Sequence, residues 1–282
     1  MGLKTRDMLS GLPLVTALAF FIQMLSTTIV NTALPSMAES LKQPPFALHL
    51  AIVAYSLTVA LFIPVSGWAA DRYGTRRTFL LAVGVFVAGS LCCACSGTLA
   101  ELTCARVFQG IGGAMMVPVS RLTLLRAYSR EAFVQVFTFV TIPGLIGPVL
   151  GPVLGGWIVD HASWPWIFLI NLPLGMAGFA YAWKHFPDYK EPRGRFDASG
   201  FCIISMALIG MTAGLEMLGK GGAWLGAASL GIGFACIPCY VIHARRAPEP
   251  LIRLGVFGVR TFRVGILGNV VARLGIGSVP FL

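Results

Sequence analysis

Nine stretches of roughly 20 apolar residues follow one another along the chain, and each is about long enough to cross a hydrocarbon core at 1.5 Å per helical residue. They read as spans over Gly11–Leu34, His49–Ala70, Thr78–Gly97, Leu102–Ser120, Phe133–Trp157, Pro165–Trp183, Ala198–Leu218, Ala223–Ile242 and Phe262–Leu282. With 56% hydrophobic residues against 11% charged, most of the surface is meant for lipid. The chain is therefore expected to be an all-α polytopic membrane protein with the bilayer as its first partner. Its first run is too long for a signal-peptide core of about 7 to 15 residues and stays in the count as a span.

Orientation follows from the basic residues, because short cytoplasmic loops retain Lys and Arg. Placing the N-terminus inside puts these groups on one side: Lys4 and Arg6; Arg72, Arg76 and Arg77; Arg121, Arg126 and Arg130; Lys184, Lys190, Arg193 and Arg195; and Arg245, Arg246, Arg253, Arg260 and Arg263. Lys42 and Lys220 fall outside, and Arg106 and Arg273 lie within spans. The formal charge of +10 is thus a consequence of topology. No basic stripe with interleaved aromatics calls for a nucleic-acid partner.

The seven cysteines sit in or beside apolar spans and read as packing. Cys236 and Cys239 form a CxxC without a second pair, so neither a metal nor another cofactor is expected. His49, His161, His185 and His243 read as residues of span edges or loops. The chain lacks a GxxxxGK[ST] loop, an HExxH motif and a GxSxG elbow, which argues against an enzyme or an ATP-driven pump.

Three segments are more particular. In "GWAADRYGTRRTF", Gly67 is expected to let two helices approach and Gly74 to permit a left-handed turn. Asp71 ends span 2, where a carboxylate opposes the helix dipole and needs an Arg or another helix N-terminus as its partner. With Arg72, Arg76 and Arg77 this makes a compact charged latch at the cytoplasmic mouth. In "PGLIGPVLGPVLGGW", Gly147, Gly151 and Gly155 stack on one face, followed by Gly156, while Pro148 and Pro152 should bend or loosen the helix. In "CARVFQGIGGAMM", Arg106, Gln109, Gly110 and Gly113 share a helical face. A second polar stripe in span 1 comprises Gln23, Ser26, Thr27 and Asn31, and two such stripes in one bundle favour a shared polar cavity.

These segments, with "TTIVNTALP" and "SWPWIFLINLPLG", resemble in order the motifs of the major facilitator superfamily, and within it the fourteen-span drug:proton antiporters. The resemblance runs over essentially the whole chain. It implies an N-terminal six-helix bundle at 1–190, two additional helices at 191–243, and at 244–282 a loop and the first helix of an incomplete second bundle. It also implies a secondary transporter of the inner (plasma) membrane that exports small amphipathic compounds by alternating access, with protons as the coupling ion. Asp71 and Arg72 would belong to a cytoplasmic gate, span 5 would line the interface where two halves rock, and Arg106 with Gln109 would face the cavity and couple to protons. The sequence departs from the family at Ser26, where an aspartate is usual: a hydroxyl can bond a guanidinium but can neither neutralise it nor titrate near neutral pH. Two further readings stay open, a facilitator without proton coupling and a truncated fragment that does not transport; the oligomeric state is open as well.

Overall fold

A computed structural model describes residues 11–192, 194–219 and 221–278, with side chains through Val270. Lys4, Arg6, Arg193, Lys220, the side chain of Arg273 and the last four residues of the ninth expected span lie outside it. Among the described residues the regular structure is helical: α1 Leu12–Ser40, α2 Pro45–Tyr73, α3 Thr75–Ala94, α4 Leu99–Ala127, α5 Arg130–His161, α6 Trp166–Leu169, α7 Asn171–His185, α8 Ala198–Gly219, α9 Ala223–Arg246, a 3₁₀ turn Leu254–Gly258 and α10 Arg260–Ser278. Among the described residues eight helices, with α6 and α7 together as one, are long and apolar enough to cross a membrane; α10 is not among them.

Several helices outrun their expected spans, because hydropathy marks only the part that lipid requires. Thus α4 has 29 residues and starts at a capping box, where the Thr98 side chain accepts from Glu101 N at 3.2 Å and Glu101 Oε2 accepts from Gly97 N at 2.8 Å. It then continues past Ser120 to Ala127, carrying Arg121 and Arg126 on helical backbone. Likewise α5 runs unbroken for 32 residues with Pro143, Pro148 and Pro152 inside it. The expected loosening at the last two prolines does not interrupt it.

Two compact units emerge, Met1–Arg193 and Gly194–Leu282. In the first, α1 packs chiefly on α5, and α4 packs on both α2 and α3. Its core divides into two apolar clusters. One holds Phe20, Ile22, Tyr55, Phe79, Phe86, Met116 and Leu124; the other holds Leu25, Ile29, Leu48, Cys93, Leu102, Ala105 and Phe168.

The second unit is built on the pair α8 and α9. Asp197 caps α8 by accepting from Gly200 N at 2.8 Å, and the same carboxylate meets His243 Nε2 at 2.8 Å and accepts from Leu251 N at 3.1 Å. Burial pushes this carboxyl up, but the hydrogen bonds from Gly200, His243 and Leu251 outweigh it and hold Asp197 below the ordinary carboxylate value. His243, read from sequence as an edge residue, thus ties the end of α9 to the start of α8.

Candidate functional site

Between the two apolar clusters of the first unit lies a thin polar layer. Ser26 from α1, Ser90 from α3, and Arg106 and Gln109 from α4 are all at most 1% exposed. Arg106 Nη1 donates to Gln109 Oε1 at 2.6 Å. The Gln109 amide in turn donates to Ser90 Oγ at 2.7 Å and to Ser26 Oγ at 3.4 Å, joining the stripes of α4 and α1. The guanidinium carbon lies 3.9 Å from the Tyr55 ring centroid, and the Phe168 ring follows at 5.8 Å. Arg106 therefore has a neutral acceptor and an aromatic face, while its Nε is buried with no hydrogen-bond partner among the described residues. No described carboxylate pairs with it. The hydroxyl of Ser26 was available to bond this guanidinium directly; it is engaged through Gln109 instead.

Glycines make the layer dense. A Cβ on Gly110 would approach Thr58 and the Tyr55 carbonyl at 2.9 and 3.1 Å, and one on Gly113 would meet the Tyr55 hydroxyl at 2.9 Å. On the other flank, a Cβ on Gly89 would collide with the backbone of Gln109. Close approach of α2 and α3 is what allows Tyr55 and Ser90 to reach Arg106 and Gln109. The remaining α1 residues divide: Gln23 is buried with its Oε1 unpartnered among the described residues, whereas Asn31 is exposed and stands outside this cluster. Asn171, at the start of α7, is also fully buried with neither amide atom partnered among the described residues.

A second charged centre sits at the ends of α2 and α4. Asp71 falls in the last turn of α2, and its partner is Arg126 in the last turn of α4, with Nη2 2.7 Å from Asp71 Oδ1. The same Nη2 lies 2.9 Å from Glu191 Oε1. Glu191 belongs to a segment after α7 that lies along the α2–α3 connection: Thr75 N donates to Tyr189 O at 3.0 Å, Thr75 Oγ1 to Pro187 O at 2.9 Å, Arg76 N to Asp188 Oδ1 at 3.2 Å, and Glu191 N to Asp71 O at 3.3 Å. Gly74 has φ 99° and ψ 147°, a region essentially reserved for glycine, and a Cβ there would collide with Asp188. This corrects the left-handed turn expected from sequence, since ψ is extended. A Cβ on Gly67 meets nothing within 4 Å among the described residues. Arg72 and Arg77 are exposed, and Arg76 is half-buried.

The glycine face of α5 is filled by α1. A Cβ on Gly147 would approach Met24, Leu25 N and Phe21 O at 2.9 to 3.2 Å; on Gly155, Ile29 O and Thr32 at 3.0 to 3.2 Å; and on Gly151 it would collide with Thr28. Gly144 continues the face against Phe20. These glycines thus serve close packing of α5 on α1 within one bundle. Gly156 is looser, 3.8 Å from Thr32, while Pro148 is half-buried and Pro152 exposed.

Sequence reasoning selected Ser26, Arg106, Gln109 and Asp71 but missed Ser90, Tyr55 and the pairing of Arg126. The signals were present: an amphipathic Tyr and a small hydroxyl in otherwise apolar spans, and a cation in the last turn of a helix whose C-terminus favours it.

This arrangement of helices recurs in solved transporters. The structure of a peptide transporter POT in complex with sulfate superposes with a TM-score of 0.61 at 17% identity, over 84% of this chain and 53% of that one. A D-xylose-proton symporter gives 0.55 at 14% identity, over 82% and 67%. At such identities the likeness speaks to fold alone. Closer in sequence are proteins named "Putative multidrug resistance protein MdtD": that of Cronobacter sakazakii is 49% identical over 271 residues, 95% of this chain and 57% of the relative, and that of Pectobacterium atrosepticum is 47% identical over 274 residues, 95% and 58%. The chain thus spans little more than half the length of these relatives. The family model of the Major Facilitator Superfamily matches residues 16–282, and with such relatives the chain belongs to that superfamily.

Proposed function

We propose that this chain forms the first bundle and the following helices of a secondary transporter that exports small amphipathic compounds across the inner membrane, driven by protons and working by alternating access. The N-terminus faces the cytoplasm, in keeping with the basic loops. The observation that carries the reading is the buried Arg106–Gln109–Ser26–Ser90 cluster, a polar layer held between two apolar cores. An intramembrane ionisable residue is costly and is by default functional. The resemblance to proteins named for multidrug resistance supports amphipathic cargo. The Asp71–Arg126 pair supports a gate at the membrane surface that closes when the ion pair forms and opens when it breaks.

A second reading, a facilitator without proton coupling, is favoured by Ser26. Its hydroxyl does not titrate near neutral pH, and no described carboxylate replaces it beside Arg106. Proteoliposomes of the full-length protein, loaded with a lipophilic cationic dye under an imposed pH gradient, separate the two. Uphill dye movement accompanied by proton counterflow establishes antiport. Equilibration that ignores the gradient establishes the facilitator, and Ser26→Asp should then confer gradient dependence. No dye flux in either direction overturns both.

A further inference from the structure

The second unit carries a feature that transport leaves unused. Between α8, α9 and the 3₁₀ turn lies a cavity of about 450 Å³, walled by Ile204, Ala207 and Met211 on one side and by Tyr240, Leu254 and Phe257 on the other. Its lining is apolar throughout, and its volume lies within the usual range of about 300–1,000 Å³ for ligand sites. The wall is fixed in place: Ile252 N donates to the Tyr240 hydroxyl at 2.7 Å, which donates back to Ile252 O at 3.2 Å.

The rim has the opposite character. Arg253 separates the lining residues Ile252 and Leu254, and Arg245 lies four residues beyond the lining residue Val241, about 6 Å along α9. Arg245, Arg246, Arg253, Arg260 and Arg263 are all exposed. Glu249 is the one acidic residue from 245 to 263, and it accepts from Gly194 N at 2.9 Å; Asp197 is taken by His243, Gly200 and Leu251. The arginines therefore keep a surplus of positive charge beside an apolar cleft.

The geometry points to a binding site for an anionic phospholipid, with one acyl chain in the cleft and the phosphate held by Arg253 together with Arg245 and Arg246. An uncharged surface would suit any lipid chain, and a basic rim without a cleft would attract anionic headgroups without retaining one molecule. Together the two features select one lipid class.

The test is native mass spectrometry of the full-length protein released from nanodiscs containing equal phosphatidylglycerol and phosphatidylethanolamine. Retained phosphatidylglycerol should exceed phosphatidylethanolamine, and R245Q/R246Q/R253Q should lower its apparent affinity about fivefold per charge removed, consistent with the usual strength of a basic residue near an anionic surface. These positions are exposed, so the variant keeps its fold. Ala207→Phe, which fills the cleft and leaves the rim intact, should abolish retention of the bound lipid. Equal retention of the two lipids, unchanged binding in the triple variant, or a lipid-free protein dimer seated on this face would overturn the proposal.

Discussion

Two of the three arginines on α4, Arg126 and Arg106, stand 20 residues and so about 30 Å apart, and the protein treats them in opposite ways. Arg126 has two carboxylates within 3 Å, one buried and one exposed. Arg106, more deeply enclosed, has an amide oxygen and a tyrosine ring. The first is a charge neutralised by carboxylates. The second is a charge placed in an apolar bundle with a neutral acceptor and an aromatic face as its described partners.

The comparison breaks most visibly at Arg126. Arg126→Met removes the guanidinium 2.7 Å from Asp71, whose side chain is 7% exposed. Removing one partner of a buried pair typically costs about 3–5 kcal/mol, because the other charge remains desolvated. Denaturant-titrated unfolding of the purified protein should show a loss of that order, and Asp71→Asn should restore part of it in the double variant by removing a buried charge that has lost the Arg126 guanidinium. Additive losses from the two changes would mean that the pair is incidental.

At Arg106 the sign should reverse. Arg106→Met removes a charge that has no described carboxylate as its partner, so α4 should enter the membrane more readily by about 2.5–3.5 kcal/mol on insertion scales. Gln109 loses one donor but keeps Ser90 and Ser26. A membrane-insertion assay on α4 measures the gain, while dye transport should fall more than tenfold. A variant that inserts worse and transports normally would show Arg106 to be structural.

Much of this could be read from residues, and what could not has a physical cause. The apolar spans were legible because the bilayer imposes a length on them. Their true ends were not, since Arg121 to Ala127 stay helical after the hydrophobic requirement has lapsed. Arg106, Gln109 and Ser26 stood out as polar groups in lipid-soluble sequence. Their mutual partners did not, because leucines facing lipid and leucines facing the core look alike, so periodicity does not report which face meets which helix. Gly147, Gly151 and Gly155 announced a close approach but not whose; the partner is α1, distant in sequence. Gly67 gave the same signal, and among the described residues nothing approaches it within 4 Å. The partner of Asp71 was legible only as a requirement, which Arg126 meets from a residue that otherwise reads as a membrane-anchoring cation.

The finest distinction lies between the two carboxylates of Arg126. Asp71 and Glu191 approach the same nitrogen at 2.7 and 2.9 Å, yet their side chains are 7% and 59% exposed. Glu191 is mostly exposed, so its pairing is worth about 0.2–1 kcal/mol and is screened within about 3 Å at 1 M salt. The backbone bond from Glu191 N to Asp71 O and the contacts of Thr75 hold the segment in place without the carboxylate. Glu191→Gln should therefore lower stability by no more than about 1 kcal/mol, and raising the salt should erase the difference from the parent protein. Asp71→Asn should stay costly at every ionic strength, because burial shields that contact from salt. If the two substitutions respond to salt alike, depth does not separate these carboxylates, and the latch is held by the segment after α7 rather than by the buried pair.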